Sequence, residues 1–209
     1  MYAIVEDNNI TQYINNPKSV VIGDVRYPAK IFSIWSISEL NAIGIYEVIT
    51  DSTNKKDEKW YINTNESYVF ADNQVTKSWG TATAKAHADS LWTQQDSDDG
   101  NLPDDKEVGD VKVEGLKTQK KKIVKQQASG LLEKTDWHNH KALDDDTYTI
   151  PDNIKTYRAN VRAKSNEMET QIDACTNVDE LKTLYEYVNT GTEENPVIER
   201  PLAEFPKEI

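Results

Sequence analysis

The chain has 209 residues, of which 24 are Lys or Arg and 36 are Asp or Glu, for a formal charge of −12. Phosphate backbones and anionic lipid surfaces are bound mainly through Lys and Arg, so this balance argues against nucleic acid and membranes as partners. Hydrophobic residues at 37% against 29% charged leave material for small cores, in one large domain or two small ones.

Met1–Asp7 has neither the basic region nor the apolar run of a secretory signal. No stretch approaches the roughly 20 apolar residues of a membrane span. Residues 1–80 read as a β-rich N-terminal domain with one short helix. Tyr2–Glu6 and Ile10–Ile14 flank Asp7-Asn8-Asn9, residue types that tolerate positive φ, and this predicts a hairpin. Ser36-Ile37-Ser38-Glu39 is a capping box, with Gly44 as the stop of a two-turn helix. Ile45–Thr50, Lys59–Asn63, Tyr68–Phe70 and Gln74–Trp79 follow as strands between Asn- and Asp-containing turns. Tyr27, Trp35, Tyr46, Trp60, Tyr61, Tyr68, Phe70 and Trp79 all fall in this half. They supply either the bulk of a small core or a face for a sugar or a partner, and alternation alone does not choose.

Residues 81–93 are Ala-rich and lack Gly and Pro, which predicts a connecting helix. Residues 94–110 begin with a polar, acidic run broken by Gly100 and Pro103 and read as a linker between domains. Their Asp content invites a calcium-loop reading, but with Gly100 at the sixth position the twelfth is Lys106, where a Glu ligand is required.

Residues 111–190 form a predicted α-helical domain, a hairpin with a third short helix. Leu116–Leu132 places Leu116, Ile123 or Val124, Ala128 and Leu131 or Leu132 on one face, with lysines opposite. The second helix sets Ile154, Tyr157, Val161, Met168, Ile172 and Cys175 at spacings of three, four and seven, a seam of coiled-coil type. Thr176, Asp179 and Glu180 mark a third start, with Val178, Leu181, Leu184, Tyr185 and Val188 following. Residues 191–209, with Pro196, Pro201 and Pro206, read as an extended tail without a core of its own.

Cys175 is the only cysteine, so neither an intrachain disulfide nor a thiolate metal cluster is available, and on an apolar helix face it reads as a small buried hydrophobe. His138 and His140 are two apart in what reads as a polar loop, short of the three or four ligands of a zinc site. No phosphate loop, Ser nucleophile elbow or Cys-His combination occurs. We therefore expect no catalytic residues, no cofactor and no metal.

Leu131-Leu132-Glu133-Lys134-Thr135-Asp136-Trp137 reads as a helix end and a corner, followed by an acidic loop, Ile150-Pro151 and a helix start carrying Tyr157-Arg158 and Arg162. Asp136 or Thr135 can bond backbone groups freed at the helix end, and either arginine can reach Asp136 or Asp144–Asp146. Trp137 then either lays its ring over the two-helix seam as a clasp, or joins Tyr157, Arg158 and Arg162 in a patch that grips another chain.

This layout, over about residues 110 to 190, resembles the small tail-fibre-associated proteins of tailed bacteriophages. They share the Leu-Leu, Thr-Asp-Trp, Pro and Tyr-Arg-three-residues-Arg pattern. Three or four positions after the Trp the family often shows a basic residue, where this chain has His140 and Lys141. The resemblance implies a non-enzymatic protein made in the bacterial cytoplasm and acting on other tail or fibre subunits, with self-association possible. It would be a tail or tail-fibre adaptor in the virion, or else an assembly chaperone absent from the finished particle. A glycan-cleaving tail enzyme is the contrasting class. The expected fold class is α+β.

Overall fold

The computed structural model describes all residues, 1–209, and the fold is α+β, with strands first and long helices after. The chain divides into two compact units, Met1–Ala84 and Lys85–Ile209.

The first unit contains β1 (Tyr2–Glu6), β2 (Asn9–Ile14), β3 (Val20–Ile22), β4 (Val25–Tyr27), α1 (Ile31–Ile34), α2 (Ile37–Ala42), β5 (Ile45–Thr50), β6 (Tyr61–Ile62), β7 (Ser67–Ala71), β8 (Gln74–Ser78) and β9 (Thr83–Ala84). Its sheet runs in the order β2-β1-β5-β8-β7, with only the β5–β8 pair parallel. Both hairpins of this five-stranded sheet, β1–β2 and β7–β8, close on the same dipeptide. Asp7-Asn8 and Asp72-Asn73 all have positive φ, between 47° and 64°, the backbone twist that a two-residue hairpin loop needs. The predicted capping box is present: the Ser36 hydroxyl accepts from the Glu39 amide, and the Glu39 carboxylate accepts from the Ser36 amide at 2.7 Å. The Ser36 amide, and the Ser36 hydroxyl donating to the same carboxylate, hold the Glu39 carboxyl below its ordinary pKa. Gly44 ends the helix at φ +84°, and a Cβ there would stand 2.8 Å from the Val5 carbonyl oxygen, so both conformation and space require glycine.

Strand alternation sorts the sheet into two buried faces. Ile4, Ile14 and Ile45 pack with Val20, Ile31 and Leu40 from β3, α1 and α2. Ala3, Val5 and Val75 form the opposite cluster with Ile10, Tyr46, Val48 and Phe70. On that second face the sheet curls until its edge strands meet, the rings of Tyr13 on β2 and Tyr68 on β7 lying 4.7 Å apart. The aromatic load mostly packs within the unit: Trp60 and Tyr61 are buried and Tyr27, Trp35, Tyr46, Tyr68, Phe70 and Trp79 half-buried. The β3–β4 hairpin and α1 lie in a stretch to which the sequence assigned no element, since three-residue strands and a one-turn helix are too short to show a period.

The predicted connecting helix over residues 81–93 does not form. Thr81-Ala82-Thr83-Ala84-Lys85-Ala86-His87-Ala88 alternates with period two, and the chain runs extended there. Thr83–Ala84 pairs with β6, and Ser90–Leu91 (β10) pairs with Val111–Val113 (β11). High Ala propensity without an apolar helical stripe gives a short isolated helix little to bury, and strand partners take the segment instead.

The second unit continues with α3 (Gln94–Asp98), β11, α4 (Leu116–Glu133), α5 (Asp136–Asp144), α6 (Asp152–Ala174), α7 (Val178–Tyr185), β12 (Val188–Asn189) and β13 (Ile198–Glu199). Residues 94–110, expected as a linker, are a closed loop inside this unit. Thr93 and Asp96 make a capping box for α3, Lys112 pairs with Asp96, and the Gly109 amide donates to the Trp92 carbonyl at 2.8 Å. The boundary lies instead between Ala84 and Lys85.

The α4–α6 pair is the hairpin the periodicity predicted. Leu116, Val124 and Ala128 are buried on α4, while Ile123 faces out. Every seam residue named for α6 is buried, with Ser165 filling the position between Val161 and Met168. Helix α7 starts at Asn177, whose side chain accepts from the Glu180 amide, and buries Val178 and Leu181. It ends at Tyr185, so Val188 belongs to a short strand. The Pro-containing tail is extended but not idle. Leu202 is fully buried and its amide donates to the Leu184 carbonyl. Gln171 of α6 donates to the Pro201 carbonyl and accepts from the Ala203 amide. Phe205 packs on Ala128, Tyr157 and Val161.

Candidate functional site

The turn from α4 into α5 is organised by one charged side chain from α6. Arg158 is 7% exposed. One guanidinium nitrogen donates to the Leu132 carbonyl at 2.8 Å and to the Thr135 hydroxyl at 2.7 Å, and the other donates to the Asp136 carboxylate at 2.7 Å. The Thr135 hydroxyl in turn donates to the Leu132 carbonyl. A helix leaves its last carbonyls without partners and its C-terminus slightly negative, so a fixed cation there satisfies both needs. Asp136 sits in the first turn of α5, where the helix favours an anion. The guanidinium fork thus binds the end of one helix to the start of the next.

Trp137 is therefore not the clasp. Its position one residue past Asp136 turns it outward, and its side chain is 54% exposed. The indole stacks on the His138 imidazole, centroids 3.7 Å apart. His138 is buried, its Nδ1 lying 2.5 Å from the Tyr148 hydroxyl, and the Lys141 ammonium covers the Tyr148 ring at 4.4 Å. Tyr148 is brought back over His138 by the turn at Asp145, whose carboxylate accepts from the Thr147 amide and hydroxyl and is thereby held below its ordinary pKa. The segment carrying the two histidines, read as a loop, is helix α5, because Arg158 and Asp136 together start it. His140 is exposed on it.

Of the four residues singled out as a partner patch, the structure divides two from two. Tyr157 is buried in the cluster with Ala128 and Val161, and Arg158 is committed to the clasp. Trp137 and Arg162 are exposed. Thr135 bonds the freed end of α4 as expected, His138 reads from the sequence only as loop polarity, and Tyr148 was missed. Tyr148 carried a weak signal, an aromatic directly after an Asp-x-Thr turn, but nothing local announced which ring it would meet.

No three His, Cys, Asp or Glu side chains converge in a metal-binding arrangement, and no helix is long and apolar enough to cross a membrane. Cys175 is buried, which raises its thiol pKa above the ordinary value. Comparison with known proteins returned no match, whether to family models, to curated proteins or to solved structures.

Proposed function

We propose that this chain is a non-enzymatic protein of a tailed bacteriophage, a tail or tail-fibre adaptor in the virion that works through protein–protein contacts. The observation that carries the binding role is the exposed Trp137 on a rigid base. Its ring is backed by a buried imidazole, which is bonded to a tyrosine, and its helix is anchored by Arg158. An aromatic that is already immobile loses little entropy on docking, and Trp is among the residues most often found as an interface anchor. The phage assignment rests on the sequence pattern around Thr135-Asp136-Trp137.

Mass spectrometry of purified phage particles tests this role. An adaptor is retained at a defined copy number, whereas an assembly chaperone is lost on purification. The surface is tested by Trp137→Ala in capture experiments with a tail-fibre fraction. We expect a loss of at least about 2 kcal/mol of binding, roughly thirtyfold, with the fold intact. Unchanged capture would remove Trp137 from the interface.

A further inference from the structure

The first unit holds a cleft of about 710 Å³ at the end of the curled sheet where both Asp-Asn turns lie. We propose that this cleft is a binding site for a neutral saccharide of one or two sugar units. Its volume falls in the range of small-molecule sites, and the mouths of curled sheets and barrels are where such sites recur.

The chemistry of the lining selects the ligand. Asp7 and Asp72 stand on the two turns flanking the cleft, and neither carboxylate is engaged by a hydrogen bond or ion pair within the chain. Beside them, Asn8 and Asn73 add amide donors. Asn73 is oriented by the Tyr46 hydroxyl, which donates to its side-chain oxygen at 3.0 Å and leaves its NH₂ group to a ligand. Tyr46 and Phe70, with ring centroids 4.8 Å apart, contribute an aromatic surface beneath the turns. Acceptors and donors side by side match the alternating hydroxyls of a sugar, each both donor and acceptor. A cation would use the carboxylates but leave the Asn73 NH₂ group, whose oxygen is taken by the Tyr46 hydroxyl, without an acceptor. An anionic sugar would find no Lys or Arg in the lining and two carboxylates against it. This site lies in the sheet unit and does not depend on Trp137 or on the phage assignment.

The test is a protein-observed NMR titration of the full chain with maltose, lactose, cellobiose and N,N′-diacetylchitobiose, alongside 3′-sialyllactose and Nα-acetyl-lysine methyl ester. We expect at least one neutral disaccharide to shift the amides of residues 5–8, 46 and 70–74 saturably. Asp72→Gly should weaken that binding about tenfold. Glycine takes positive φ at no steric cost, so this change removes the carboxylate and keeps the turn, and preserved amide dispersion outside the turn checks the fold. The assignment is overturned if none of the four neutral sugars shifts these amides. Shifts that survive Asp72→Gly unchanged, sialyllactose binding as tightly as lactose, or a response to the lysine ester alone would overturn it as well.

Discussion

The two units treat large side chains in opposite ways. In the sheet unit, aromatic rings are drawn inward, with Trp60 and Tyr61 buried and Tyr46 and Phe70 packed on Ala3, Val5 and Val75. In the helical unit, the seam is filled mainly by Ile154, Val161, Met168, Ile172 and Leu181, with Tyr157 its one buried ring, while Trp137 at the helix junction faces outward and an arginine goes in. A small sheet with short strands needs bulk from each inward position, so rings suit it. Two long helices bring many aliphatic side chains to one seam and leave a ring to spare, but their junction exposes carbonyls that only a donor can satisfy. The lesson is that in this chain burial follows what each junction lacks, volume in one unit and hydrogen-bond donors in the other.

Arg158→Ala is the strongest way to break that contrast. Removing a buried, triply bonded cation should destabilise the helical unit by about 3 kcal/mol, the lower end for such losses because Asp136 is half-exposed and can rehydrate. Urea unfolding followed by helical circular dichroism checks it. Should this variant melt like the parent, the clasp contributes nothing to stability and the comparison fails.

Leu202→Ala tests whether the tail belongs to the helical core. A fully buried leucine lost to alanine costs about 2–5 kcal/mol, and we expect a value near 3. Deletion of residues 200–209 should expose Phe205's seat on Ala128, Tyr157 and Val161 and raise binding of a hydrophobic dye. A tail that is merely appended would leave both readouts unmoved.

In the sheet unit, Ser36→Ala removes one half of a capping box and should cost about 1 kcal/mol, read as a shift in the thermal or urea midpoint. Trp137→Ala should cost less than that, since its ring is more than half exposed, and melting separates it clearly from Arg158→Ala.

The smallest effect is electrostatic. Lys112, followed by the Thr93 amide and hydroxyl, holds the Asp96 carboxyl down to about 2. A depressed carboxyl contributes stability above its unfolded pKa of 3.8, and that contribution is lost as pH falls toward 2. The Asp96 side chain is only 16% exposed and belongs to the closed loop of residues 94–110, so that loop should loosen in this window. Side-chain NMR titration of Asp96 should give a midpoint near 2, rising in Lys112→Ala. A midpoint near 3.8 in the parent would show the pairing to be absent in solution.

Features that depend only on neighbours along the chain were legible from its residues. The Asp7-Asn8 hairpin, the Ser36–Glu39 box, the stop at Gly44 and the extents of α4 and α6 are local matters of φ, capping and period. The same period determined which residues of α6 share a face. The Ala-alternating segment near residue 83 carried a strand period too, but one obscured by helix propensity. Which shared faces are covered, and by what, is set by packing between distant segments. Such packing placed Leu202 beneath α7, spread Ser90–Leu91 against Val111–Val113, and put Arg158 inside and Trp137 outside at one corner. The partners in these contacts lie 18 to 26 residues apart, and burial is set by what packs there, which no local period records.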